Sequence, residues 1–180
     1  ADALAEHVTG LRVVELCADL NRVVANRRLD DDGTALLRFS NGAHGVLIAS
    51  QICAGNENDL RLRVFGDKAG LEWRQEEPNS LWLRPLDAPA QLLRAGGPGL
   101  GDTARTFTRL PAGHPEGYIE AFGNLYRTFA EQVRAHEAGQ TAAAAVPGID
   151  VALRGMAFIE TAVNAGASSQ KWHPFPEVAA

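Results

Sequence analysis

The run "GLGDTA", Gly99 to Ala104, fits G-x-G-x-x-G/A, the pattern that lays the pyrophosphate of a dinucleotide on a helix N-terminus. Glu120 follows at roughly the 20-residue offset where such sites place an acid for the ribose. The flanks argue for a Gly-rich loop instead. A fingerprint needs a buried parallel strand before it and a helix after it. Here the upstream run "DAPAQLLRAGGP" ends in Gly-Gly-Pro, and downstream "RTFTRLPAGHP" has no helical periodicity and carries Pro111 as a breaker. Glu120 falls inside a helical pattern, not at the end of a second strand. No cofactor-binding residue is therefore assigned.

"GHPEGY" is the local stretch with the most chemistry in it. His114 closes the Gly-rich loop and is expected at the N-terminus of a long helix. There the dipole disfavours an imidazolium and leaves a neutral ring able to hydrogen-bond a substrate hydroxyl. Tyr118, one turn on, would add a hydroxyl or simply pack. Equally, His114 could only begin the helix, with no ligand, and both readings stay open. His7, His44, His114, His136 and His173 include no pair at i+3 or i+4, so no metal site is read from them. Asp30, Asp31 and Asp32 before Gly33 read as a solvated turn rather than a cation site. No serine sits in a nucleophile elbow, and no Cys-His motif occurs.

These residues belong to a chain of 180 amino acids, 46% apolar and 22% charged, with a formal net charge of −5. That is globular composition, in one domain of ordinary size. No basic block or basic-aromatic stripe appears, so nucleic acid is not an expected partner. No apolar run approaches the length of about 18 residues that marks a membrane span. Cys17 and Cys53 form no metal spacing and lie in apolar runs, which reads as two buried free thiols in a reducing, cytoplasmic setting. The start "ADALAEHVTG" has neither a signal-peptide pattern nor a Met, the sole Met being Met156. An internal start, by processing or truncation, is expected.

Periodicity supplies the elements. "ADALAEHV" reads as a short amphipathic helix stopped by Gly10. Leu11 to Val24 reads as a bent strand. In "TALLRFSNGAHGVLIASQIC", Asn41-Gly42 joins two strand-like runs, which predicts a two-residue type I′ hairpin. "DLRLRVFG" alternates, with Leu60, Leu62 and Val64 on one face and Arg61 and Arg63 on the other. "LEWRQE" and "SLWLRPL" follow after turns. Two helices close the chain. One carries Ile119, Phe122, Tyr126, Phe129 and Val133 on a stripe, with Pro115 in its first turn; the other carries Ile149, Leu153, Met156, Ile159 and Val163. The expected fold class is α+β: a mostly antiparallel sheet of about six strands with two long C-terminal helices packed on one face. Apolar groups on both sheet faces suggest a second buried contact, such as a subunit interface.

The order of these pieces resembles the C-terminal domain of the glucose–fructose oxidoreductase/inositol dehydrogenase (Gfo/Idh/MocA) family. The stretches "LAEHVTGL", "DDDGTALLRFSNGAHGVLIAS", "NDLRLRVFGDKAGLEW" and "GHPEGYIEAFGNLYRTFAEQV" carry the resemblance over roughly residues 4 to 135. It implies that residues 1–180 form a single substrate and oligomerisation domain, and that an N-terminal Rossmann domain with a Glu-Lys-Pro motif is absent from this chain. It implies hydride transfer between a sugar or polyol secondary alcohol and NAD or NADP, in a homo-oligomer associating through the sheet face. The catalytic Lys and His are expected outside this chain. Neither Lys68 nor Lys171 sits where the family's lysine does, so no catalytic residue is assigned. A substrate-binding role transfers to His114 and Tyr118, and more weakly to Asp2, close to where a Gly-Thr-His would precede the chain. Isolated, the chain should not turn over. The rival reading is a free-standing, non-catalytic α+β module that binds a small ligand or oligomerises.

Overall fold

Alternation along Asp32–Phe39 buries Gly33, Ala35 and Leu37 and exposes Thr34 and Leu36, so this strand has one face toward a core. The structure, a computed structural model, describes residues 11–142 and 146–178. The helix expected over residues 1–8 and the candidate Asp2 lie outside the described residues. The chain divides into two compact units, Ala1–Ala54 with Pro147–Ala180, and Gly55–Val146.

In the first unit, β1 (Val13–Asn21), β2 (Asp32–Phe39), β3 (His44–Ser50) and β8 (His173–Pro174) form an antiparallel sheet in the order β3-β2-β1-β8. Val13 and Leu16 are both buried although they stand three apart, a spacing that period 2 would send to opposite faces. A register shift between Val13 and Glu15 resolves this: the bulge inserts one residue and restores the inward face. The helix Ile149–Gly166 packs across β1, and its Ala162 and Ala165 join Val13, Leu16, Ala35 and Leu37 in the core. At the helix end a Cβ on Gly166 would stand 3.1 Å from Leu20 Cγ, so the missing side chain lets helix and strand approach.

The expected stripe Ile149, Leu153, Met156, Ile159 and Val163 is not the one that packs; all five are exposed. Small residues win the sheet-facing side because they bring the backbone close, leaving the bulky row outward. The hairpin also differs from expectation. Gly42 N–H donates to Phe39 O at 2.9 Å, and only Gly42 (φ 86°) has a positive φ there. This is a three-residue loop, a type I turn closed by a left-handed glycine. Asn41 Oδ1 accepts the Ala43 N–H at 3.0 Å, which ties Asn41 into the turn.

In the second unit, β4 (Arg61–Phe65), β5 (Ala69–Arg74), β6 (Ser80–Pro85) and β7 (Gln91–Arg94) form an antiparallel meander in that order. The α+β class and the antiparallel pairing are as expected, with eight described strands shared between two four-stranded sheets. The break falls at residues 51–60, where Gly55 (φ 91°) and Asp59 (φ 36°) interrupt extended backbone between β3 and β4. Pairing puts Leu62, Trp73, Leu81 and Leu93 in one row, and Arg63, Glu72, Trp82 and Leu92 in a row on the opposite face. Glu72 binds Arg74 at 2.7 Å and Arg84 at 3.1 Å on that face. The hydrogen bond from Arg74 is the main reason its carboxyl titrates below the usual range.

A short helix α1 (Asp102–Thr106) forms directly after the Gly-rich run, with Gly101 as its N-cap, where the sequence predicts loop. The long helix α2 (Tyr118–Glu137) follows in the second unit, and Ile149–Gly166 is α3. Among the described residues no helix is long and apolar enough to cross a membrane. Cys17 and Cys53 are unpaired; Cys17 is half-buried, whereas Cys53 is exposed on the segment after β3 and not buried as expected.

Candidate functional site

α2 begins at Tyr118, not at Pro115. Gly117 is its N-cap, and the Gly117 N–H donates to Glu120 Oε2 at 2.8 Å, a side-chain closure of the first turn. That hydrogen bond is the largest cause of the lowered Glu120 pKa. Glu120 is therefore spent on its own helix, which removes the ribose role that the fingerprint reading would need. His114 consequently stands three residues before the cap, outside the first turn, and the helix-dipole expectation loses its geometry. Its N–H donates to Pro111 O at 3.1 Å across Gly113, whose φ of 89° completes a type II turn.

His114 is exposed, with Nδ1 3.3 Å from Pro111 O. In the tautomer that donates Nδ1–H to that carbonyl, Nε2 is an acceptor for a hydroxyl. Tyr118 is 70% exposed, and its ring lies against Phe122 with centroids 4.7 Å apart. The two candidates sit at the two ends of one short segment, and among the described residues no hydrogen bond joins them.

What holds that segment was not visible in the sequence. Glu116 Oε1 accepts the N–H of Arg109 at 2.6 Å and of Leu110 at 2.7 Å. Its backbone is clasped by one amide: Asn79 Nδ2 donates to Glu116 O at 2.7 Å, and Glu116 N–H donates to Asn79 Oδ1 at 3.0 Å. The Asn79 carbonyl also accepts the Ala95 N–H at 2.9 Å, at the end of β7. Beside it, Gly96 (φ 70°) lies so near the loop that a Cβ would stand 2.8 Å from Ala112 N.

The other side of the segment is tied to α2. Arg109 Nε donates to Asn124 Oδ1 at 3.0 Å, Asn124 Nδ2 donates to Phe107 O at 2.9 Å, and Arg127 donates to Thr106 O at 2.6 Å. This explains a second reversal. The buried residues of α2 are Asn124 and Thr128, while Ile119, Phe122, Tyr126, Phe129 and Val133 are all exposed. The helix turns its polar side inward because loop carbonyls there require donors. Asn79 stands 37 positions from Glu116 and gives no local sign of the contact; Glu116, inside the "GHPEGY" stretch, could have been suspected.

Gly99–Ala104 does not fit a dinucleotide. The strand before it, β7, is an antiparallel edge strand, and the helix after it has five residues. An open groove of about 390 Å³ lies in the first unit, lined by Leu20, Asn21, Arg22, Arg28, Leu29 and Asp30, and includes neither described candidate. Next in sequence to Asp30, Asp31 is buried, accepting N–H donors from Val23 and Val24, so the acidic run is not wholly a solvated turn.

Residues 3–72 match the family described as the GFO/IDH/MocA C-terminal domain. The chain is 32% identical to an uncharacterised oxidoreductase, YfiI, of Bacillus subtilis (strain 168) over 169 residues, 92% of this chain and 43% of that protein. An oxidoreductase from Sinorhizobium meliloti matches in structure with a TM-score of 0.88 and 40% identity, over 94% of this chain and 48% of that one. An inositol dehydrogenase homolog from Azotobacter vinelandii, complexed with NADH and myo-inositol, matches with a TM-score of 0.88 and 29% identity, over 96% and 47%. The chain thus spans about half the length of these relatives. It resembles the GFO/IDH/MocA C-terminal domain by sequence over residues 3–72, and along nearly all of its length it shares the fold of part of these oxidoreductases.

Proposed function

We propose that this chain is the substrate-binding and oligomerisation domain of a cytoplasmic NAD- or NADP-dependent dehydrogenase acting on a secondary alcohol of a sugar or polyol. The observation that carries the reading is the fold match to an inositol dehydrogenase homolog complexed with NADH and myo-inositol, in a chain that presents His114 and Tyr118 at the ends of one braced loop. Nicotinamide supplies hydride transfer when bound. In this proposal the nucleotide, the catalytic lysine and the catalytic histidine belong to the other half of a protein as long as these relatives. The present residues bind and orient: His114 accepts from one hydroxyl, and the Tyr118 hydroxyl meets another. Asp2 is the weaker third candidate.

Homo-oligomerisation is assigned to the open sheet face of the first unit. Leu36, Val46 and Ile48 share it and are all exposed, Val46 by 66% and Ile48 by 71%. Two unpaired cysteines are in keeping with a reducing compartment.

The test is a titration of the isotope-labelled chain with myo-inositol, following the His114 and Tyr118 resonances. Saturable shifts at both, weakened in His114→Ala and in Tyr118→Phe, support the reading. Shifts unaffected by either change remove these residues from the site. The chain alone, mixed with NAD and myo-inositol, should produce no NADH.

A further inference from the structure

We infer that Glu116 and Asn79 are positioning residues for His114, a clasp that fixes the candidate loop before any ligand arrives. The inference rests on the proposed substrate-facing role of that loop. A loop bearing a binding side chain gains affinity when its conformation is set in advance, because ordering it on binding costs conformational entropy. The segment from Arg109 to Gly117 lies outside regular structure yet is held at both ends by hydrogen bonds to Glu116. One carboxylate oxygen closes its start by taking the Arg109 and Leu110 N–H groups. One carboxamide closes its end by bonding both backbone polar groups of Glu116. Since Asn79 itself sits in the turn before β6, the sheet's position is carried directly into the loop.

The four bonds converge on a single residue between the two candidates. Glu116 is two residues from His114 and two from Tyr118. If its role were only to stabilise the fold, it would be placed where the fold is densest. Instead it is half-buried and, among the described residues, hydrogen-bonds only to the loop and to Asn79. Its role is to fix the backbone that carries His114.

The experiment uses the labelled 180-residue chain with three changes, Glu116→Ala, Glu116→Gln and Asn79→Ala, and myo-inositol as probe. Glutamine keeps an acceptor oxygen, so it should restore what alanine removes. In Glu116→Ala, exchange of the Arg109 and Leu110 amides should speed by about tenfold, the equivalent of one charge-assisted hydrogen bond. The dissociation constant for myo-inositol at His114 should rise by a similar factor of about ten, while Glu116→Gln stays within about twofold. Asn79→Ala, outside the loop, should likewise speed loop amide exchange and weaken myo-inositol binding at His114. Helix content read by circular dichroism should not change in any of the three. Unchanged exchange and unchanged affinity in both alanine variants, with wild type responding to myo-inositol, would overturn the clasp. A wild-type chain whose His114 and Tyr118 ignore myo-inositol instead overturns the substrate reading, and the exchange rates alone then decide whether the clasp exists.

Discussion

The Asp31 carboxylate accepts the backbone N–H of Val23 at 2.7 Å from eight positions away, and that of Val24 at 3.0 Å. Arg27 approaches the same carboxylate at 3.5 Å. With only 3% of its surface exposed, Asp31 acts as the internal staple of the loop between β1 and β2. The Val23 hydrogen bond is the first cause of a carboxyl pKa below the ordinary aspartate value, opposed by burial and aided by Val24 and Arg27.

That direction fixes a pH dependence. A carboxyl whose folded pKa is depressed contributes stability above its unfolded pKa, about 3.9, and loses it as pH falls through the folded value. Asp31→Asn should therefore lower the thermal midpoint at pH 7, and the gap to wild type should close below about pH 4. Melting curves at pH 7, 5, 4 and 3 check this. A gap that stays constant across the series would mean that the ionised staple contributes nothing.

Among the described residues, Leu16 is the one large side chain wholly removed from solvent, at 0% exposure. Leu16→Ala should cost about 2–5 kcal/mol, the range for buried leucines that leave a cavity. The loss should fall on β1, β2 and α3, whose residues make up the core around it. Denaturant titration with amide exchange resolves both the size and the place. A cost under about 1 kcal/mol would show that the site collapses freely onto the truncated residue.

What could be read ahead of the structure was whatever is local. The strand runs on either side of Asn41-Gly42 are visible in their own residues and appear as β2 and β3; in β4 the arginine–leucine alternation sets Leu62 half-buried against exposed Arg61 and Arg63, while Leu60 and Val64 stay exposed. The bulge at Val13–Glu15 depends on pairing with Phe39 and Arg38, so no window along β1 reveals it. Helix periodicity found the stripes of α2 and α3 but not which way they face. In α3 the inward side went to Ala162 and Ala165 for closeness, and in α2 to Asn124 for its hydrogen bonds. His114 and Tyr118 were named from chemistry that sits in one hexapeptide. Their support from Asn79 and Gly96 crosses long stretches of chain and has no sequence period.

Gly96 gives that support a separate test. Its φ of 70° suits glycine, and an added Cβ would meet Ala112 N at 2.8 Å and Leu110 O at 3.0 Å. Gly96→Ala should cost roughly 1–3 kcal/mol through backbone strain and should displace the turn that carries His114. The expected reading is a lowered thermal midpoint together with a moved His114 resonance. A variant with wild-type stability and an unmoved His114 would mean that the loop does not lean on this turn.

Association through the first unit's sheet makes the last prediction. Leu36 pairs with Val46, and Thr34 with Ile48, so these side chains form a continuous patch on the face opposite α3. Leu36, Val46 and Ile48 remain exposed, whereas the buried residues of β2 belong to the other face. Beside the patch, Arg38 binds Glu15 at 2.8 Å and stacks over Trp172 at 3.9 Å, giving it a polar rim. An apolar centre with an arginine–aromatic border is the composition of a protein interface. Val46→Glu with Ile48→Glu puts two charges where a partner would exclude water. The pair should raise the dissociation constant of self-association by at least about 100-fold, since burying unpaired carboxylates costs several kcal/mol. Because both positions face solvent in the isolated chain, its thermal midpoint at high dilution should hardly change. Sedimentation velocity across a concentration series reads the result. A wild-type chain that stays monomeric at high concentration removes this face from the assembly, and the exposed valine and isoleucine then need another partner.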